Sequence, residues 1–317
     1  MGKISGVNGL RGLAILYVLF EHLHLGHEPP WMDKTMPTFH ELGWGFFLRT
    51  PYWSGWLAVN LFFVLSGFVL FLPYAGGQRK LAERADFKTF YQHRAGRLLP
   101  LFYFNVLICT LLVQPFGGAV ETLKELAFVC TGVFSFTTAH FWPQCNTVLW
   151  SLGVEIWFCV LFPLIAFGIL KLGFKRTVLA CMLVALADRL LSIYLLRNNW
   201  TGDFHIAPFK DGVFGRVDDF VAGMAVAAIY VQGRCRSLAW TYGAFLGGCA
   251  LVWGGMILWN LERCEILSGW SRAFFNIPLN VGFAGILLAV VNGNLPKLLN
   301  RFFQIPPLQL AGVMCYS

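Results

Sequence analysis

Arg11 and His22 lie in one apolar run, Gly-Leu-Arg-Gly-Leu-Ala-Ile-Leu-Tyr-Val-Leu-Phe-Glu-His, over 9–22. On a helix, eleven steps of about 100° make three turns plus roughly 20°, so the two side chains point the same way. Their separation along the axis is about 16 Å, roughly half a bilayer core. A permanent cation aligned with a group that titrates near neutrality is a functional-site candidate inside a membrane helix. His24 falls on another face, about 220° round from Arg11. The alternative is structural, with His22 at the membrane–water interface and Arg11 snorkelling as an anchor.

Other residues have the types and spacing for chemistry. Arg94-Ala-Gly-Arg97 puts two guanidinium groups on one helix face at i, i+3, a fork suited to phosphate or pyrophosphate. The competing reading is a pair of cytoplasmic anchors. Glu155, in Trp-Ser-Leu-Gly-Val-Glu (150–155), falls about one turn inside an apolar run, where an unpaired carboxylate is costly. It requires a histidine or arginine from another helix. Ser151 is positioned to cap that helix. Arg216 and Asp219 are spaced to pair with each other at i, i+3. Asp188 and Arg189 are adjacent, so each needs a partner elsewhere. Ser66-Gly67 lies mid-run, where small residues let a second helix come close.

Composition sets the elements that position these groups. Hydrophobic residues make up 57% of the chain and charged residues 13%, with 31 Phe and 12 Trp. Globular domains carry about 25% charged residues. With mean hydropathy at +0.63, the chain reads as an all-α polytopic membrane helical bundle. The apolar runs are 8–25, 56–74, 98–116, 147–170, 177–197, 213–231, 238–260 and 275–292, with a ninth beginning near 308. That is eight complete spans and a partial ninth, in a single domain over 1–317. The stretch 118–138 starts with Glu121, Lys124 and Glu125 and reads as an interfacial helix.

With the N-terminus cytoplasmic, inner segments carry twice the Lys and Arg of outer ones, as topology demands. The net charge of +8 is therefore mostly topology, and no nucleic-acid partner is implied. The aromatic loop 26–55 faces outward, as a cap over a cleft or as an interfacial belt. The nine cysteines form no CxxC and the histidines no zinc spacing, so no metal is expected. Cys145 and Cys264 fall in outer loops, where a disulfide is open to them.

Five segments occur in an order that resembles the acyltransferase-3 family of integral-membrane acyltransferases. They are Arg11…His22, the run from Asn60 to Phe68, the run from Phe90 to Tyr103 with its RxxR, Trp150 to Glu155, and Arg216 to Gly223. Each is weak alone, and together they cover nearly the whole chain. The resemblance implies ten spans and transfer of an acyl group, often acetyl, from cytoplasmic acyl-CoA to an extracytoplasmic acceptor. Such acceptors are commonly sugar hydroxyls. Arg11 and His22 match the family's Arg-x10-His, and Arg94 and Arg97 its RxxR. Two departures stand out. The family pattern runs on beyond the equivalent of Val313–Ser317 through a tenth span, so the C-terminal spans are expected to be missing. Phe20-Glu21 replaces residues that are more often apolar.

The reading is thus a membrane-bound, acyl-CoA-dependent O-acyltransferase of a bacterial inner membrane. It needs no permanently bound cofactor. Its partners are acyl-CoA, a carbohydrate acceptor and membrane lipid. His22 serves as general base, and Arg11 stabilises the thioester oxygen or the pantetheine chain. Glu155 orients or charge-tunes the imidazole. Arg94 and Arg97 hold the CoA phosphates. A covalent acyl-histidine is an open variant of this scheme. The competing reading is a glycan or lipid transporter whose buried charges line a path.

Overall fold

The computed structural model describes residues 5–26, 46–47, 50–81, 83–113, 118–197, 207–263, 266–267 and 269–314. Most of the 26–55 loop, Cys264 and residues 315–317 lie outside the described residues, as do the side chains of His24, Arg197 and Arg263. Helices account for the architecture, and there is no strand among the described residues. In chain order they are α1 (Ser5–Gly26), α2 (Ala58–Ala75), α3 (Arg84–Val113), α4 (Ala119–Cys130), α5 (Leu149–Leu172) and α6 (Phe174–Arg197). There follow α7 (Ala207–Lys210), α8 (Val217–Val231), α9 (Leu238–Arg263), α10 (Asn276–Asn292), α11 (Lys297–Phe302) and α12 (Pro306–Met314). Short 3-10 turns, η1 (Tyr52–Leu57), η2 (Val133–Phe136) and η3 (Gly269–Ala273), precede α2, α5 and α10.

Six described helical segments are long and apolar enough to cross a membrane: Tyr52–Ala75, Arg84–Leu112, Leu149–Leu172, Phe174–Leu195, Leu238–Glu262 and Trp270–Asn292. The protein is a polytopic helical bundle. Of the eight complete apolar runs, α1 is diluted by Asn8, Arg11, Glu21 and His22. At 15 residues, α8 is the shorter exception. It rises about 22 Å, less than a hydrocarbon core. The 12 residues of α4 likewise cannot cross, as the charges at its start suggested. The exposed faces of the long helices carry leucines such as Leu112, Leu164 and Leu170. Lipid tails match such a surface, and the helical backbone leaves them no polar group to solvate.

The chain divides into two compact units, Met1–Gln78 with Asp219–Ser317, and Arg79–Asp218. In the first, α1 packs along α12, and also against α2, η1 and α10, while α9 and α10 form an antiparallel pair. Close approach is built from glycine: a Cβ on Gly12 would stand 2.0 Å from the Leu308 carbonyl oxygen. The same device joins α2 to α8, where a Cβ on Gly67 would lie 1.9 Å from the Phe220 carbonyl oxygen. Phe63 and Phe220 stack there with centroids 4.7 Å apart. The Ser66-Gly67 pair is a packing feature, as small residues in a membrane helix usually are.

In the second unit α3 packs on α5 and α4, and α5 on α6. Phe102, Val106, Val129, Phe134, Cys145 and Leu149 form its buried apolar cluster. Aromatic hydroxyl and indole groups close off backbone carbonyls. Tyr91 donates to the Val160 carbonyl at 3.1 Å, and Trp157 Nε1 to that of Gly132 at 2.9 Å. Ser151 does not cap α5; its hydroxyl donates to the Val148 carbonyl at 3.0 Å, and Val148 is the N-cap residue. A serine already inside the first turn has a carbonyl within easier reach than a free N–H.

Candidate functional site

Arg11 and His22 sit on one unbroken helix, α1, so the three-turn relationship read from the spacing holds. Their environments differ. Arg11 is 6% exposed, between the buried neighbours Leu10 and Ala14 on the packed side of α1. His22 is exposed near the end of the helix, with Nδ1 2.8 Å from the Val18 carbonyl oxygen. Because a carbonyl can only accept, Nδ1 carries the hydrogen and Nε2 of the neutral ring keeps its lone pair. The helix thus offers a buried cation and, further along, an imidazole poised as an acceptor.

Beside His22 the structure adds a carboxylate. Glu21 is buried, and its Oε2 accepts the Gly55 N–H at 3.2 Å. One turn earlier, the Tyr17 hydroxyl donates to the Pro51 carbonyl. Asn260 Nδ2 donates to Ser54 Oγ at 2.9 Å, and Trp56, Trp259 and Phe275 pack edge to face or tilted. Turn η1 is therefore clamped between α1 and α9 by polar bonds on both sides. The charge at position 21, in an otherwise apolar stretch, was the visible sign of this contact.

Deeper in the same unit is a buried polar group on three helices. Asn60 Nδ2 lies 3.4 Å from Asp219 Oδ1 and 3.2 Å from Asn276 Oδ1. Spacing could not reveal it, because its members come from α2, α8 and α10.

The second unit holds Glu155, Arg94 and Arg97. All three act electrostatically on Cys159, one turn beyond Glu155 on α5. The Arg94 guanidinium also lies 5.9 Å from the Phe90 ring centroid, a cation–π contact. The half-buried Glu155 carboxylate and arginines from another helix thus act on the same thiol.

The adjacent pair Asp188–Arg189 behaves as adjacency requires. Arg189 donates to Asp218 Oδ1 at 2.5 Å and to the Gly215 carbonyl at 2.9 Å, while Asp188 takes a bond from the Gly215 backbone. Arg216, expected to reach for Asp219, has Asp211 as a partner at 2.6 Å, with Lys210 3.7 Å from that carboxylate. Burial would raise the Asp211 carboxyl, but Lys210, Arg216 and Arg189 outweigh it and hold it below the ordinary value. A further pair escaped the sequence reading. Glu125 Oε2 holds His140 Nδ1 at 2.6 Å. Among the described residues, no group of three or more His, Cys, Asp or Glu is arranged to hold a metal.

Comparison with known proteins bears on these groups. The acyltransferase-3 family profile, described as an acyltransferase domain, matches residues 4–317. The chain belongs to the acyltransferase-3 family. Among curated acyltransferase relatives, YrhL of Bacillus subtilis (strain 168), named as a peptidoglycan O-acetyltransferase, is 26% identical over 51% of this chain and 23% of its own. The O-acetyltransferase OatA of Staphylococcus aureus (strain NCTC 8325 / PS 47) is 23% identical over 72% of this chain and 35% of its own. ORF330 of Acidianus two-tailed virus, named as an acetyltransferase, is 29% identical over 49% of this chain and 39% of its own. The match thus spans well under half the length of each relative. No solved structure matches the chain.

Proposed function

We propose that this acyltransferase-3 protein moves an acyl group, acetyl in the first instance, from acyl-CoA to a hydroxyl of an extracytoplasmic carbohydrate. The observation that carries the reading is the state of α1, with Arg11 buried in the helix and His22 bonded through Nδ1 to Val18. The names of YrhL and OatA support O-acetylation, and that of YrhL a peptidoglycan acceptor.

His22 Nε2 takes the proton of the acceptor hydroxyl as its oxygen attacks the thioester carbonyl. A carbon–oxygen bond forms and the carbon–sulfur bond breaks. The proton passes from the imidazolium to the departing CoA thiolate. Arg11, a fixed cation about 16 Å from His22 along the helix, donates to the amide carbonyls of the pantetheine chain that carries the thioester towards His22. Arg94 and Arg97 grip the CoA phosphates as a fork. The N-terminus is cytoplasmic, following the charge count, and the likeness to the bacterial YrhL and OatA supports a bacterial plasma membrane.

The test is transfer of labelled acetyl from acetyl-CoA to soluble peptidoglycan fragments by the purified protein in liposomes. His22→Gln is expected to lower the rate by about 10²-fold or more, the usual contribution of a general base. Undiminished transfer in folded His22→Gln overturns the assignment.

A further inference from the structure

The Glu125–His140 pair has a construction that the proposed reaction at α1 does not use. Glu125, on α4, is 3% exposed. Both of its oxygens are engaged: Oε2 with His140 Nδ1 at 2.6 Å, and Oε1 with the Gln144 N–H at 2.9 Å. The imidazole lies on the Phe128 ring, with centroids 4.2 Å apart and planes 16° from parallel. Its rotation is therefore blocked by a hydrogen bond at one edge and a stacked ring on one face. The side chain retains 26% exposure. With Nδ1 taken by the carboxylate, the ring atom left to bond is Nε2.

A carboxylate that fixes an imidazole by Nδ1 makes Nε2 a directed group at little entropic cost to a ligand. The buried Glu125 charge beside it disfavours an anionic ligand. One imidazole and one fully engaged carboxylate are too few ligands for a metal. A neutral hydroxyl remains the fitting partner, able to donate to the neutral ring or accept from the protonated one. Two residues on, Trp142 is half-buried and packs edge to face with Trp150, their ring centroids 5.4 Å apart. An indole two residues from His140 in the chain offers an apolar face to the C–H side of a sugar.

We propose that Glu125 and His140 form a carbohydrate-binding subsite on the second unit, in which His140 Nε2 bonds an acceptor hydroxyl and Glu125 acts as the positioning residue. Its assignment to the acceptor rests on the acyltransferase reading above. The segment 118–148 falls on the outer side in the charge count, where such an acceptor would be met.

Binding and modification test it without a transfer assay. The probe is the same soluble glycan fragments, titrated against the purified protein in detergent. His140→Gln is expected to weaken binding about tenfold, the loss of one hydrogen bond to a held group. His93→Gln, on α3 and bonded only to its own helix at Thr89 in the observed geometry, is expected to leave binding unchanged. In the wild type, bound glycan should shield His140, and not His93, from carbethoxylation by diethyl pyrocarbonate, read by peptide mass spectrometry. Equal affinity in folded His140→Gln, no shielding of His140 at high glycan, or no glycan binding by the wild type overturns the proposal. Failure of acyl transfer with glycan binding and shielding intact overturns the reaction and leaves the subsite standing.

Discussion

Glu21 sits against Gly55, whose N–H donates to its buried carboxylate at 3.2 Å. The contact leaves no room for a side chain at position 55: an added Cβ would lie 2.7 Å from both Glu21 Cβ and Oε2. The residue before His22 thereby anchors the end of α1 to η1. Gly55→Ala must push the two segments apart, a strain of about 1–3 kcal/mol by analogy with overpacked cores. Glu21→Ala leaves the Gly55 N–H without its acceptor, at a similar cost of about 1–3 kcal/mol. Glu21→Gln retains an acceptor oxygen and should cost less. Thermal unfolding of the three variants in detergent checks the order, and Gly55→Ala unfolding as the wild type does would contradict it.

Arg189 and Asp218 form an ion pair with 1% and 5% side-chain exposure. Removing one partner strands the other charge, so Arg189→Met and Asp218→Asn should each destabilise the protein by about 3–5 kcal/mol. The double variant Arg189→Met/Asp218→Asn strands no charge and should recover part of that loss. A double-mutant cycle on unfolding measures the coupling. Simple additivity of the two losses would mean that the pair does not act as a unit.

Residues that report through their own helix were legible in the sequence. The length and apolarity of the runs located the long helices, and the charges opening 118–138 marked a segment that does not cross. Gly67 announced a close helix contact, and the adjacency of Asp188 and Arg189 announced two separate partners. Glu155 showed the need for a cation, though nothing in its spacing named the helix that would supply one. The rest depended on tertiary placement. Asn60, Asp219 and Asn276 meet from three helices far apart in sequence. Glu125 and His140 meet across η2 and an irregular segment, where no periodicity applies. Arg216 has a carboxylate five residues back, in the turn before α8, a spacing that helical reasoning does not examine.

The Asp211 carboxyl gives the second unit an acid-sensitive element. Burial alone would raise it, but Lys210, Arg216 and Arg189 hold it below the ordinary carboxylate range. The folded state therefore binds this proton less readily than the unfolded state. Its stabilising contribution is complete above the unfolded carboxylate value and is lost as pH falls through the lower, folded one. Asp211→Asn should lower stability at neutral pH and flatten the acid limb below about pH 4. Unfolding midpoints of both proteins between neutral and strongly acidic pH check this. Parallel acid limbs would remove Asp211 from the account.

Arg94 and Arg97 provide the sharpest test of the donor side. Both lie within electrostatic reach of Cys159 on α5, together with Glu155. Arg79 is an exposed cation in the same unit, between α2 and α3. If positive charge alone attracts CoA, neutralising any of the three should cost the same. If the proposed fork holds the phosphates, position matters as well as charge. Arg94→Ala and Arg97→Ala are then each expected to weaken CoA binding about tenfold or more, with Arg79→Ala close to wild type. Arg97→Lys keeps the charge and loses the planar pair of donors, so it should recover only part of the affinity. Titrating CoA against the purified variants at fixed ionic strength reads all four. Equal losses at the three alanine positions would reduce the arginines to topology anchors and move the donor site elsewhere.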